Sequence, residues 1–207
     1  MKCREFRMVV LAASALLLLG SLAACGGKKS TEPPEKTVAE FIAEGWGKYQ
    51  DGSYEAGGRS FDEALTKEPG NRSALLGRGW CRAKLGDPTG AAADLTGASA
   101  DVGLRDDAEA GLAFVHLAAG AYQSAVSAAA SVLSRNPAWT FSHATRPDAK
   151  SLHLLTAQAH FALGDFEEAL SAVVDHLNSS FHAVISTPEG RAELAAEIER
   201  LRVAMAA

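Results

Sequence analysis

Histidine and cysteine are the residues of this chain whose chemistry could support a metal site or a nucleophile, but their spacing argues against both. His153 and His160 are seven residues apart on a predicted helix, so about 10 Å of helix axis separates them. A zinc ligand lies about 2 Å from its metal, so the two rings cannot bind one ion unless the helix breaks. The sequence also contains no Gly-rich phosphate loop, nucleophile elbow or Cys-x-x-Cys pair. We therefore predict no metal, no cofactor, no catalytic residues and no enzymatic activity.

The N-terminal residues have the order of an export signal followed by a lipidation site. Three basic residues precede the apolar run MVVLAASALLLLG, residues 8–20, which is shorter than the roughly 20 apolar residues of a membrane span. LAAC, residues 22–25, follows and resembles the lipobox of bacterial lipoproteins. In that family the signal, here residues 1–24, is removed and the cysteine is lipidated, which implies lipid attachment at Cys25. The alternative is an ordinary signal peptide that happens to contain a cysteine.

The charge and the cysteines of the chain exclude several classes of partner. The formal net charge is −5, and removing residues 1–24 takes away three positive charges and one negative charge, which leaves −7. Such an acidic chain is unsuited to general nucleic-acid binding or to a polybasic membrane contact. Cys81 is then the remaining thiol besides Cys25, so no internal disulfide is expected. We predict that Cys81 is a small buried helix residue.

The segment after Cys25 is predicted to be a tether. Residues 26–36, GGKKSTEPPEK, contain two prolines and show no apolar periodicity. Fully extended, they reach about 35 Å. Residues 25–36 are therefore expected to form a lipidated cysteine with a flexible tether that holds the folded body away from a membrane surface.

The rest of the chain repeats itself at an offset of 34 positions, and a fourth unit follows after ten additional residues. Small residues recur at the eighth place, glycines at the fifteenth and small residues again at the twentieth: Gly45, Gly79, Ala113 and Ala157; Gly52, Gly86, Gly120 and Gly164; Gly57, Ala91, Ala125 and Ala169. This period and these places resemble the tetratricopeptide repeat. The resemblance implies two antiparallel helices in each unit, with small residues at the helix crossings and a glycine at the turn.

The predicted fold is therefore an all-α, right-handed helical solenoid of about four helix-turn-helix repeats with a C-terminal capping helix. The repeats are placed within 37–181, with approximate units at 38–71, 72–105, 106–139 and 150–183. Residues 182–207 form the cap region, in which Leu194, Ile198 and Leu201 share one face. Helix starts are predicted at Thr37 with Glu40, Asp87-Pro88, Asp106 with Glu109, Pro147-Asp148, Asp165 and Thr187-Pro188.

Aromatic residues recur on the face of the first helices that lines the concave groove in the resembled family. Positions 5, 9 and 12 of a unit share one helix face. They supply the predicted partner-binding groove: Trp46, Tyr49, Trp80, Phe114 and Phe161. Two interpretations are open, packing of helix against helix and a groove that binds a peptide or protein segment. The second predicts that these side chains are partly exposed.

A second series occupies position 11 of the four units: Lys48, Arg82, His116 and His160. It would form either a basic stripe for an acidic partner or a row of solvated helix residues. The ten-residue insertion WTFSHATRPD, residues 139–148, also has two interpretations. It is either a long inter-repeat loop whose Trp139 packs on a neighbour or a loop that touches a partner.

The predicted function is non-catalytic binding of a protein or peptide partner by a lipid-anchored scaffold of the cell envelope. Bacterial lipoproteins that carry such repeats often act as assembly, secretion or pilus accessory factors. Gly26 rather than Asp follows Cys25, which by resemblance favours the outer membrane, facing the periplasm, in bacteria with two membranes. Two alternatives are a small-ligand or enzymatic role centred on the histidines or Cys81, and a structural spacer in which Trp46 and Trp80 are buried.

Overall fold

The computed structural model describes residues 35–206. The predicted signal peptide, Cys25 and the tether up to residue 34 lie outside the described residues. Within 35–206 the chain folds into helices α1 to α9, and the remainder is turns and a single isolated bridge between Thr140 and Asp148. The helices are α1 (Val38–Gln50), α2 (Tyr54–Lys67), α3 (Arg72–Lys84), α4 (Pro88–Ser99), α5 (Arg105–Ala118), α6 (Tyr122–Arg135), α7 (Ala149–Leu163), α8 (Phe166–His176) and α9 (Pro188–Ala206).

Helices α1 to α8 form four consecutive helix-turn-helix repeats. The second helices of the first three repeats begin at residues 54, 88 and 122, in steps of 34, and that of the fourth begins 44 residues later at residue 166. The ten additional residues therefore lie between α6 and α7. The prediction of an all-α solenoid with about four repeats and a C-terminal helix is confirmed.

The turn inside each repeat requires a glycine for its backbone conformation. Gly52, Gly86, Gly120 and Gly164 have φ values of 75°, 78°, 72° and 86°. This left-handed region is strained for residues with a Cβ atom. At all four positions a Cβ would meet no atom within 4 Å. The backbone angle rather than lack of space therefore selects glycine here.

The helix crossings, in contrast, select small residues for space. The Phe61 ring of α2 lies between Gly45 of its own repeat and Gly77 of the next, and a Cβ on Gly45 would lie 2.7 Å from that ring. Leu95 of α4 repeats the arrangement, because a Cβ would approach it to 2.8 Å from Gly79 and to 2.9 Å from Gly111. A large side chain on each second helix thus fills space that glycines leave on two successive first helices.

Most of the predicted helix starts are confirmed. Thr37 and Glu40 form a reciprocal capping box at α1, and the Asp87 carboxylate accepts from the Gly90 amide at α4. Asp148 caps α7 by accepting from the Ser151 amide. Thr187 precedes α9, and its hydroxyl accepts a hydrogen bond from the amide of Gly190, the third residue of the helix.

Two predicted caps are wrong in their chemistry. Asp106 and Glu109 do not cap α5, which begins one residue before Asp106; both instead accept hydrogen bonds from Arg135 of α6, at 2.9 and 2.6 Å. Asp165 stands at the N-cap position of α8, but its carboxylate lies 3.4 Å from Nδ1 of His160 and makes no capping bond. In both places a cross-helix partner replaces the local backbone bond.

The core divides into two clusters along the solenoid. The larger cluster runs through the first three repeats and reaches Leu152 and Leu155 of α7. The smaller cluster joins α7 and α8 to the predicted capping face of α9, where Leu194, Ile198 and Leu201 are buried. This confirms that α9 covers the last apolar face of the solenoid. Among the described helices, none combines the length and apolar character that a membrane span needs.

Candidate functional site

The predicted groove aromatics of the first two repeats are buried. Trp46, Tyr49 and Trp80 expose 7%, 5% and 3% of their surface. The expectation that these three side chains are partly exposed is therefore wrong. All three side chains belong to the larger core cluster. The Trp46 ring also lies edge-on to the Phe61 ring, with ring centroids 5.1 Å apart.

The insertion loop, residues 139–148, covers these aromatic residues. The Phe141 ring lies 4.4 Å from Trp80, 5.8 Å from Trp46 and 6.0 Å from Tyr49, measured between ring centroids. The His143 ring stacks on Trp46 at 3.6 Å with an interplanar angle of 5°. Gln50 at the end of α1 donates to the His143 carbonyl oxygen at 2.8 Å. The loop therefore fills the space between the first helices of the first three repeats.

A buried carboxylate, Asp107, holds the beginning of the loop. Its Oδ1 accepts from Trp139 Nε1 at 2.9 Å, and its Oδ2 accepts from the Ser142 amide at 3.3 Å. Its carbonyl oxygen accepts from Trp80 Nε1 at 3.2 Å. Asp107 lies in the first turn of α5, where the helix dipole favours a negative charge. Asp107 thus joins the loop to α3 and α5.

Buried and exposed residues alternate along the first half of the loop, and the chain turns at Ser142 and His143. Trp139 and Phe141 are buried and His143 is half-buried, whereas Thr140 and Ser142 are exposed. Alternation of this kind is typical of an extended chain with one face on a surface. The loop closes on itself through Phe141 N–H, which donates to the Pro147 carbonyl at 3.0 Å, and through Ala149 N–H, which donates to the Trp139 carbonyl at 2.7 Å. Packing of Trp139 on neighbouring repeats, one of its two interpretations, is confirmed.

The remaining two predicted groove residues are partly exposed but lie in different clusters. Phe114 of α5 is half-buried beside Trp80, with ring centroids 6.2 Å apart. Phe161 of α7 packs on Phe166 at 5.1 Å and belongs to the smaller core cluster with α9. The five aromatic residues therefore do not line one continuous groove. Whether any of them contacts a partner stays a prediction.

A cavity of about 580 Å³ lies beside the insertion loop on the same side of the solenoid. Its apolar wall includes Trp80, Phe114 and Val115, and Met205 of α9 contributes from the opposite end of the chain. Two exposed basic side chains, Lys84 and Arg146, also line it. The cavity thus combines an apolar wall with positive charge.

The position-11 residues do not form a free basic stripe. Lys48 pairs with Glu44 at 2.7 Å and donates to the Ser60 hydroxyl at 2.9 Å. Arg82 pairs at 2.7 Å with the buried carboxylate of Asp94, which also receives two hydrogen bonds from Arg78. These two side chains therefore bind groups of their own repeat. These contacts favour the interpretation as helix residues paired within the repeat, and contact of the series with an acidic partner stays a prediction.

The histidines of the series have separate surroundings. His116 is half-buried on α5, and His160 faces Asp165. His153 stacks on His176 of α8, with ring centroids 3.6 Å apart. Burial, together with the nearby His176, lowers the pKa of His153 from 6.5 to about 4. Within residues 35–206, no group of three or more His, Cys, Asp or Glu side chains is placed to hold a metal ion.

Cys81 is a buried core residue, as predicted. It is fully covered, and a Cβ on Gly57 would lie 3.2 Å from its sulfur. Burial raises the pKa of the thiol to about 12, so the thiol is protonated at neutral pH and is a poor nucleophile. The stacked histidines lie on α7 and α8, whereas Cys81 packs against α2. The residues on which an enzymatic alternative would rest therefore do not converge.

The comparison with protein families agrees with the repeat geometry. A family model described as tetratricopeptide repeat matches residues 42–101 and 110–176. Because these segments cover more than half of the chain, the chain belongs to the tetratricopeptide repeat family. Repeats of this family are generally non-enzymatic scaffolds for protein–protein interaction, so partners of this chain are expected to be proteins.

Two solved structures share the fold. The chain is similar to a thermophilic tetratricopeptide repeat protein of Thermus thermophilus, with a TM-score of 0.54 and 20% sequence identity over 82% of this chain and 83% of that chain. It is also similar to a tetratricopeptide repeat protein from Parabacteroides merdae, with a TM-score of 0.55, 17% identity and coverage of 81% of this chain and 60% of that one. At these identities the likeness shows the fold alone. The comparison with curated proteins gave no match.

Sequence reasoning missed three residues that organise the site: Asp107, Phe141 and His143. The pattern Trp-x-Phe-x-His has a period of two, which is the signal of an extended segment with one buried face. Asp107 carried no comparable signal, since it follows Asp106 in a helix start and resembles any acidic residue of a first turn. Its role in holding the loop is recognised only from the structure, in which Trp139 Nε1 donates a hydrogen bond to it.

Proposed function

We propose that this protein is a lipid-anchored, non-catalytic scaffold of the cell envelope that binds a segment of a protein partner on the concave side of its repeats. The observation that carries the binding part is the cavity of about 580 Å³ beside the insertion loop. The half-exposed ring of Phe114 offers an apolar anchor point there. Membership of a family of interaction scaffolds supports the same reading.

The lining of the cavity specifies the chemistry of the partner. Lys84 and Arg146 place two positive charges beside the apolar wall, in a chain whose formal net charge is −5. A complementary segment carries an apolar or aromatic side chain for Phe114 and an acidic residue for the basic rim. Rim charges of this kind mainly accelerate association, whereas the buried anchor sets the lifetime of the complex.

The cellular location that we propose rests on the lipobox resemblance. LAAC at residues 22–25 supports lipid attachment at Cys25, and Gly26 after it supports the outer membrane, facing the periplasm, in a bacterium with two membranes. In this setting the scaffold serves an assembly, secretion or pilus process. Metabolic labelling with an acyl chain tests the anchor. Cys25→Ser abolishes labelling and membrane retention, and Cys81→Ser leaves both unchanged; equal labelling of the Cys25 variant would refute the anchor.

The partner surface is tested by quantitative affinity capture from envelope extracts. A variant with Phe114→Ser and Lys84→Glu changes the apolar wall and the basic rim together. Arg59→Glu makes a matched charge change on the exposed surface of α2, away from the cavity lining. We expect the double variant to lose at least one protein that both the wild type and the Arg59 variant retain. Identical captured proteins in all three samples would refute binding at this cavity.

A structural spacer is the second candidate, and the burial of Trp46 and Trp80 favours it. A spacer holds other envelope components at a fixed distance from the membrane and needs no groove. The capture experiment separates the two candidates, because a spacer gives no cavity-dependent partner. Shortening the tether at residues 26–34 would then impair the process, while Phe114→Ser would not.

A further inference from the structure

The last second helix of the solenoid, α8, is covered differently from the other second helices. Helices α2, α4 and α6 each pack along the first helix of the following repeat, whereas α9 packs chiefly on α7. Residues 177–187 connect α8 to α9, and part of this connection lies against α8. The side of α8 that would meet a further repeat therefore borders an irregular segment instead of a helix.

Residues 181–184 of this connection form a short extended stretch. They neither turn nor bend, and half-buried Phe181 and Ala183 alternate with exposed His182 and Val184, as in an extended chain with one face on a surface. Within the described part of the chain, the amides of residues 182–185 donate no hydrogen bond and the carbonyls of residues 181–183 accept none. Such a row of unpaired backbone groups is a template for pairing with another extended chain.

The inner side of the stretch is fixed by the core and by α9. Phe181 and Ile185 pack against the smaller core cluster. Arg191 donates to the Ile185 carbonyl at 3.0 Å, and its guanidinium lies 5.3 Å from the centre of the Phe166 ring. A partner therefore meets a preformed edge, which lowers the entropic cost of binding.

Two depressions, of about 690 and 390 Å³, border the stretch along α8. Both combine half-buried apolar side chains with exposed carboxylates, and neither is lined by a Lys or Arg. The apolar residues include Phe166, Leu170, Val174 and Ile185, and the carboxylates are Asp165, Glu167, Glu168 and Asp175. Their charge is opposite to that of the basic residues lining the cavity beside the insertion loop.

We propose that residues 181–185 and α8 form a docking surface for an extended, basic segment of a partner protein. The segment pairs its backbone with the unpaired groups of the stretch, as in strand addition to a free edge. On the side that faces α8 it alternates an apolar residue, which packs on Phe166, with a Lys or Arg for Glu167 and Glu168. A second copy that paired the same stretch across a twofold axis would bring two acidic rims together, which like-charge repulsion opposes. Binding here needs neither the lipid anchor nor the cavity partner.

A synthetic peptide of the expected pattern serves as the probe. Fluorescein-labelled SVSKSVSK is titrated at low salt into the full chain, purified in mild detergent, and followed by fluorescence anisotropy. One control peptide carries glutamate in place of lysine, and the other carries N-methyl groups on its four central amides. We expect the probe to bind at least about tenfold more tightly than either control, because the first loses charge complementarity and the second loses backbone bonds.

Amide hydrogen exchange locates the bound peptide. The unpaired amides of residues 182–185 should exchange fast in the free chain and slow down on binding, while exchange in α1 to α4 stays unchanged. Equal binding of either control peptide, or unchanged exchange at residues 182–185, would overturn the proposal. Slow exchange of these amides in the free chain, together with a dimer in light scattering, would also overturn it, because a second copy then occupies the stretch.

The acidic rim is tested by Glu167→Gln with Glu168→Gln, which we expect to weaken probe binding about fivefold. Glu55→Gln with Glu63→Gln is the matched control, because both residues are exposed on α2 and Glu55 stands where Glu167 stands in the fourth repeat. This control should bind the probe as the wild type does. Wild-type affinity of the Glu167 double variant would refute a basic occupant.

The variant with Phe114→Ser and Lys84→Glu separates this surface from the cavity of the proposed function. It should bind the probe with unchanged affinity even where it loses its captured partner, and a loss of probe binding would assign the peptide to the cavity. Circular dichroism checks the fold of each variant. The peptide comparisons use the wild type, so they decide the outcome even if a variant unfolds.

Discussion

Glycines at the helix crossings set how closely neighbouring repeats approach. At Gly79 a Cβ would lie 2.8 Å from Leu95 Cγ and 3.3 Å from Asp94 Cβ. Leu95 is fully buried and Asp94 nearly so, so neither side chain can swing into solvent. Gly47, two positions after Gly45 on α1, shows the opposite situation, because a Cβ there meets nothing within 4 Å.

Replacement of Gly79 by Leu is expected to destabilise the repeat interface. The added side chain overpacks a filled crossing, which lowers the free energy of unfolding by about 1–3 kcal/mol. Thermal or urea denaturation measures this. Gly47→Ala is the control and raises stability by about 0.5–1 kcal/mol, since alanine is the better helix former in open space. An unchanged melting temperature for the Gly79 variant would mean that the crossing is not tight.

Trp80 behaves as a core residue in the structure, and its replacement tests this. Trp80→Ala removes a ring that contacts Phe141 and the hydrogen bond from its Nε1 to the Asp107 carbonyl. We expect a loss of about 3–5 kcal/mol in the free energy of unfolding. Phe114→Ala, at a half-exposed ring of the same series, is expected to cost less. A Trp80 variant that retains wild-type stability would restore the interpretation of this side chain as an exposed ligand contact.

At the scale of elements, the beginning of the insertion loop is held by a buried carboxylate. Asp107→Ala removes the acceptor of Trp139 Nε1, a donor that is buried with its ring. An unsatisfied buried donor costs about 1–3 kcal/mol. Asp106→Ala is the matched control, because Asp106 makes a partly exposed ion pair with Arg135 and such pairs contribute about 0–1 kcal/mol.

Amide hydrogen exchange measures whether loss of the Asp107 carboxylate loosens the insertion loop. Amide hydrogen exchange is expected to accelerate in residues 139–148 for Asp107→Ala and to stay unchanged there for Asp106→Ala. Equal protection of the loop in both variants would show that the aromatic contacts alone hold it.

The stacked pair His153 and His176 makes the α7–α8 unit sensitive to acid. The pKa of His153 is about 4 in the folded chain, against an ordinary value of 6.5. Between these values the unfolded chain binds a proton at this position and the folded chain does not. The contribution of His153 to the free energy of unfolding is therefore fully present above pH 6.5 and is lost as the pH falls toward 4. His160, Glu167 and Glu168 line the same depression as the pair.

A comparison of wild type and His153→Gln isolates this contribution from that of the carboxylates. We expect the melting temperature of the variant to fall less steeply between pH 6.5 and pH 4. Because His153 is only partly buried, solvent screening makes the difference smaller than the pKa shift alone would give. Parallel curves for the two proteins would assign the acid sensitivity to other groups.

For the whole molecule, the features that the sequence predicts are those whose causes are local. The 34-residue period, the turn glycines and the Thr37–Glu40 capping box each depend on residues within a single unit or turn. The position of the insertion loop depends on contacts between distant residues, since Gln50 and His143 are 93 positions apart and Asp107 and Trp139 are 32 apart. Periodicity cannot report such contacts, so the sequence could not decide between packing and an open groove for Trp46 and Trp80.

The contacts of the insertion loop make the stabilities of the first three repeats depend on one another. Repeats in such folds contact their neighbours, and stability is approximately a sum of local terms. Here the loop before the fourth repeat bonds to α1 of the first, through Gln50 and Trp46. The first three repeats are therefore tied together, whereas the smaller cluster of α7, α8 and α9 has its own core.

A substitution in the capping helix should consequently act on one end of the molecule. Leu194→Ala removes a fully buried side chain of α9 and is expected to cost about 2–5 kcal/mol. Amide exchange should accelerate in α7, α8 and α9, because the last apolar face loses its cover, and remain slow in α1 to α4. Val203→Ala, at an exposed position of the same helix, is the control and changes stability by less than about 0.5 kcal/mol. Uniform acceleration along the whole chain would show that the two clusters unfold as one unit and that the cap stabilises every repeat alike.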